Sequence, residues 1–221
     1  MMKKIYLCFI IVLAFFCVSC SKAPDSLIEN EVKTNVQLAE EAIKNASKCF
    51  ANSKFEDASK YIELEEFQNH IENDLSTDEI SAEELIELWL PKVRFEILFS
   101  EEVNDNCIES KIKVAALSHK SVLTVQKSLQ DSKIDENIYA LSNMPEPQRR
   151  EWVNRAVAEA SRKAHFDFEH PLVYSEVICT VKKVDSSWKM DMNTELMNAM
   201  LGDEIGAMEE VFGITMMNPK D

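Results

Sequence analysis

Val93-Arg94-Phe95-Glu96-Ile97-Leu98-Phe99 changes the rhythm of the chain. Val93, Phe95, Ile97 and Phe99 alternate there with Arg94, Glu96 and Leu98. Alternation sends successive side chains to opposite faces of an extended backbone, so one face is dry and the other wet. Ile112, Val114 and Ala116, set between Lys111, Lys113 and Ala115, repeat the pattern. Two further strands are expected at Leu172 to Val184 and Trp188 to Met192, joined by the tight polar turn Asp185-Ser186-Ser187.

Outward from these strands the period is helical. Val32, Val36, Ala39, Ile43, Ala46 and Phe50 recur every three or four residues, and Asn52 and Ser53 break the run. Phe55, Ala58, Tyr61 and Ile62 suggest a second helix. Ser81 and Glu84 read as a capping box opening a short helix through Leu85, Trp89 and Leu90, stopped by Pro91. Between the strand pairs, Val122 to Leu129 reads as a helix. Pro145 opens another through Trp152, Ala156, Val157, Ala160 and Ala164. Leu196 to Leu201 and Ile205 to Phe212 close the chain as short helices stopped by Gly202 and Gly213. Helices packed on one face of an antiparallel sheet make an α+β architecture.

The N-terminus has a different composition. Lys3 and Lys4 precede an apolar run from Ile5 to Val18, the charged and hydrophobic regions of a cleaved export signal. Cys17-Val18-Ser19-Cys20 resembles the bacterial lipobox, with Cys17 where Leu is usual. The resemblance implies cleavage before Cys20, a diacylglyceryl thioether on Cys20 and an acylated new N-terminus. Several acyl chains together anchor stably where one is marginal. Ser21 in place of Asp favours the outer membrane if the organism is diderm. The expected organisation is a signal peptide over 1–19, a lipidated tether over 20–31, an α+β domain over 32–202 and a short helical tail over 203–221.

Val181-Lys182-Lys183-Val184-Asp185-Ser186-Ser187-Trp188-Lys189-Met190-Asp191, with Asn193 and the helix through Leu196, Met197, Leu201 and Gly202, resembles a known ending. It is similar to the closing hairpin and helix of small bacterial lipoproteins with a nuclear-transport-factor-2-like, cystatin-like domain. Ser186 stands where that family often has Gly, and Met190 where Ile is usual. The resemblance implies a curved antiparallel sheet, a cystatin-like cone wrapped by helices. It implies no single activity, because the fold hosts enzymes, binders and scaffolds alike.

Charge narrows the partners. The chain carries −15, and loss of residues 1–19 removes two lysines and leaves 202 residues at −17. That field repels phosphate backbones and anionic headgroups, so nucleic acid and electrostatic membrane docking are disfavoured, leaving the lipid as the membrane contact. Only three glycines occur, which favours helices over a many-hairpin barrel. Beyond Cys20, Cys49, Cys107 and Cys179 read as small apolar core residues, with one disulfide plus a free thiol as the alternative.

Chemistry is sparse in the sequence. Ala164-His165-Phe166-Asp167-Phe168-Glu169-His170 offers two imidazoles and two carboxylates at a spacing a metal accepts, but it runs into Pro171 where a solvated loop is expected. Neither His70 nor His119 falls on an inward strand face beside an Asp. Met190, Met192, Met197, Met200, Met208, Met216 and Met217 crowd the C-terminal region, where core filling or an adaptable surface outweighs Cu(I) ligation. No cofactor and no metal are therefore expected. The expected function is a non-catalytic binding module of the cell envelope, holding a small apolar ligand or an envelope protein partner. The alternative is an enzyme of the same fold acting in the cone cavity.

Overall fold

A computed structural model of the chain describes residues 33–77 and 79–213. Cys20, the signal peptide, the tether, Met216 and Met217 lie outside the described residues.

Helix α1 (Asn35–Ala51) starts at Thr34, whose hydroxyl accepts from the Gln37 N–H at 3.2 Å while the Gln37 side chain accepts from the Thr34 N–H at 2.8 Å. This reciprocal cap satisfies two of the donors a helix start leaves open. Its apolar stripe of Ala39, Ile43, Ala46 and Phe50 is buried as the spacing requires. Ser53, at φ 54°, then reverses the chain. The second helix expected through Ile62 is shorter: α2 covers only Phe55–Ala58, and Ile62 pairs with the sheet instead. Helix α3 (Glu65–His70) continues into a π-helical turn over Ile71–Leu75. Helix α4 (Ala82–Trp89) has the Ser81–Glu84 capping box and ends in a 3-10 turn at Leu90–Lys92.

The sheet has four antiparallel strands in the order β1 (Arg94–Asn104), β2 (Cys107–Leu117), β3 (Leu172–Val184) and β4 (Ser187–Met190). Ile108, Ile112, Val114 and Ala116 on β2, with Cys179 and Val181 on β3 and Met190 on β4, have no exposed surface. They pack under α1 and under α8 (Thr194–Met200), forming one hydrophobic core. The opposite face carries Lys111, Lys113, Tyr174, Glu176 and Ile178. It is the wet side of an amphipathic antiparallel sheet.

Phe99 departs from the expected alternation. A register irregularity between Ile97 and Phe99 turns Phe99 outward, 58% exposed, opposite Lys111. An extra residue in one strand shifts every later side chain to the other face, so Ser100, not Phe99, meets β2 on the inner side, with its hydroxyl 3.0 Å from that of Ser110.

Between β2 and β3 the chain forms a helical hairpin. Helix α5 (His119–Glu136), the short α6 (Ile138–Ser142) and α7 (Glu146–Phe166) fold back on themselves, with Val122, Ala156, Ala160 and Ala164 buried between them. The far end is wet: Tyr139 is 86% exposed. The segment expected as a C-terminal tail begins with α9 (Glu204–Phe212), seated against α5 through the buried Ala207. Gly202 joins α8 to α9 at φ +70°. A Cβ there would stand 1.6 Å from the Leu117 carbonyl oxygen, so only glycine fits this crossing of sheet and helix.

Candidate functional site

The short β4 leaves an edge that the incoming chain fills by a single rung. Met190 N–H donates to the Tyr61 carbonyl at 2.8 Å, and Glu63 N–H donates to the Met190 carbonyl at 3.1 Å. After this rung the chain turns into α3, and a trough of about 730 Å³ opens between α2, α3 and the end of β4. Half-buried Phe55 lines it, and beneath lie the core residues Leu64 and Met192, 6% and 5% exposed, with Ile62 sealed below them. Exposed carboxylates Glu56, Glu63, Glu65 and Glu66 stand along the α2–α3 side, and Lys189 of β4 faces them. Lys182, the next cation on the sheet, is held in an ion pair by Asp191, which raises its pKa. The Ser59 hydroxyl in the trough donates to the Glu56 carbonyl at 2.6 Å, and the exposed rim is acidic.

The four histidines lie in three separate stretches of the sequence, at 70, 119 and 165–170, and the fold gathers them at the base of the helical hairpin. His119, the first residue of α5, stacks on Trp89 with ring centroids 5.3 Å apart. His165, in the last turn of α7, meets the same indole edge-on at 5.3 Å. Burial pushes His119 down to about 4 against the opposing field of the Glu204 carboxylate, and burial likewise lowers His165. His165 Nδ1–H donates to the Ser161 carbonyl at 2.8 Å. His170 Nε2–H donates to the Ala164 carbonyl at 2.6 Å, while its Nδ1 lies 3.0 Å from the Ser121 hydroxyl. His70 has carboxylates on both ring nitrogens, Glu204 and Asp74, each at 2.7 Å, so both nitrogens donate and its pKa is raised, mainly by Glu204.

The expected solvated stretch before Pro171 is present at Asp167, Phe168 and Glu169, and the correction falls on His165, which belongs to the helix and is buried. The helix runs on through Phe166, which turns the His165 ring into the protein while Asp167 and Glu169 remain exposed. The two imidazoles are tied to different backbone carbonyls and do not converge with the carboxylates. Among the described residues no three His, Cys, Asp or Glu side chains are close enough to share a metal ion. His70 and His119 join the His165–His170 pair only when the hairpin closes on α3 and α4, a contact that no local spacing marks.

Met190, Met192 and Met200 are buried in the core, as their apolar spacing implied. Trp188 is 6% exposed and packs beside Leu38 and Ala42 of α1, covering the end of the sheet. Cys49, Cys107 and Cys179 are free thiols. Cys179 is fully buried, and that burial pushes its thiol up to about 12, whereas Cys49 and Cys107 are half-buried.

Comparison with protein-family models, with curated proteins and with solved structures finds no match to this chain. Among the described residues no helix is long and apolar enough to cross a membrane.

Proposed function

We propose that this protein is an exported, lipid-anchored binding module of the bacterial cell envelope, without catalytic activity of its own. The observation that carries the reading is the trough beside β4, where half-buried Phe55 and the outer edges of Leu64 and Met192 meet a rim of carboxylates on α2, α3 and the turn between them. Ligand and partner sites typically combine an apolar floor with a few polar groups that fix orientation. The inner face of the sheet offers no comparable opening for chemistry in its buried centre, because Ile108, Ile112, Val114 and Met190 fill it.

The anchor is Cys20, following the basic start and the Ile5 to Val18 apolar run, and Ser21 favours the outer membrane of a diderm cell. We read the domain as nuclear-transport-factor-2-like, with the sheet as part of a cystatin-like cone. What supports this is the Val181 to Asp191 hairpin sequence and a long N-terminal helix lying on the sheet. In that reading the tether holds the domain at the membrane surface with the trough free to engage an envelope component.

Amide exchange tests this on the full chain, in its native membranes and after extraction into neutral detergent. The reading expects slower exchange at 55–68 and 189–192 in the membranes, lost on extraction. Equal exchange there in both states, with protection confined to the hairpin or the open sheet face, would overturn it.

A further inference from the structure

We infer that the trough beside β4 takes a basic, partly apolar peptide segment of a partner protein, laid in extended form. This rests on the proposal that the trough is the binding surface and adds the chemistry of its occupant.

The argument begins with sign. Four carboxylates face one lysine across the trough, on a chain whose net charge is −15. Phosphates, anionic headgroups and acidic peptides meet repulsion at the rim, and each like-charge juxtaposition costs binding energy. The carboxylates also belong to three different pieces of backbone: Glu56 to α2, Glu63 to the turn that pairs with β4, and Glu65 with Glu66 to the start of α3. Among the described residues they do not converge as ligands of one metal ion. Positive charge that satisfies them must therefore be carried by more than one group, spaced apart.

Shape separates a peptide from a small polycation. A small ligand needs most of its surface enclosed, and this trough is open to solvent along one side. A peptide running out of both ends needs no enclosure. It gains affinity from an apolar anchor against half-buried Phe55 and the edges of Leu64 and Met192, and from lysine or arginine side chains whose methylene stems lie along Phe55 while their charged ends reach the rim. Lys189, on the opposite wall, sets the direction by repelling basic residues from the β4 side.

Fluorescence anisotropy tests the inference with three labelled heptapeptides alternating apolar Leu or Phe with Lys, Gln or Glu, added to the full chain in neutral detergent and to empty micelles. The Lys peptide should bind, the Gln peptide at least about tenfold more weakly, and the Glu peptide not at all, with the gap narrowing as salt rises. Glu63→Lys with Glu66→Lys should weaken the Lys peptide by about tenfold or more. Glu87→Lys with Glu151→Lys, the same change in net charge on exposed sites of α4 and α7, should weaken it less than about threefold. Equal weakening by both pairs would mean a non-specific field and would overturn the inference. If the Gln peptide binds as well as the Lys peptide and Leu64→Ser abolishes both, the trough is a binding surface but its occupant is not basic. If no peptide responds to any trough variant, the binding-surface proposal fails with it. Thermal melts of each variant confirm that the rim substitutions leave the fold intact.

Discussion

His119 lies face to face with Trp89, ring centroids 5.3 Å apart and planes 19° apart, at the joint between the sheet and the helical hairpin. His119 Nδ1 and Trp89 Nε1 are both buried without a hydrogen-bond partner. The rings are held by packing, beside backbone bonds from His119 N–H to the Gly202 carbonyl at 3.2 Å and from Ser118 N–H to the Pro171 carbonyl at 2.9 Å, and a charge on His119 is costly there because it would be desolvated beside the positive end of α5.

Acid should loosen this joint. His119 titrates at about 4 in the folded protein against 6.5 ordinarily. Between those values the unfolded chain binds the proton and the folded one does not, so stability is lost as pH falls from about 6.5 to about 4, by about 3 kcal/mol in total. His165, also lowered by burial, acts in the same direction. In denaturant titrations the wild-type chain should lose stability steeply over that window, and His119→Phe, which retains a ring for the stack, should flatten the decline. Parallel declines in the two proteins would show that His119 is not the acid-sensitive group.

His70 has the opposite sign. Glu204 and Asp74 raise its pKa, so its contribution is complete below pH 6.5 and disappears as pH rises through the folded value. Glu204→Gln should therefore cost about 1 to 3 kcal/mol at pH 6 and less at pH 9, read as the shift in unfolding midpoint. A cost independent of pH would mean that the pair is not charge-assisted.

The two glycines that end the last helices should respond differently to the same substitution. Gly202→Ala forces a Cβ into the Leu117 carbonyl at a positive φ, and more than about 3 kcal/mol of stability should go. Gly213, at φ +68° with open space around it, should lose only about 1 kcal/mol when changed to Ala. Similar melting temperatures for the two variants would contradict the close crossing of Gly202 over β2.

Trp188→Ala should cost about 3 to 5 kcal/mol, because the indole seals the end of the sheet against α1. A melting temperature within about two degrees of wild type would count against this packing.

Much of this architecture can be read from alternation and spacing. Leu172 to Val184 is a strand over the range its pattern marks, with alternating burial from Leu172 to Val181 before the exposed end at Lys182 to Val184. The period at Phe99 fails because a bulge leaves no mark in an otherwise regular apolar run. Glu65 and Glu66 are exposed, and their place on the rim follows from Ile62 pairing with Met190. The trough joins segments about 125 residues apart, and the histidine joint spans residues 70 to 204. No local pattern encodes either contact.

Photo-crosslinking in living cells tests the central claim most directly. With p-benzoylphenylalanine in place of Gln68 in the trough, the account predicts one discrete protein adduct, lost in the Cys20→Ala background and lost with Glu63→Lys plus Glu66→Lys. The same photo-residue at Tyr139, on the exposed end of the hairpin, should give none. An adduct from Tyr139 or from Phe99 on the open sheet face, with none from Gln68, would contradict the account.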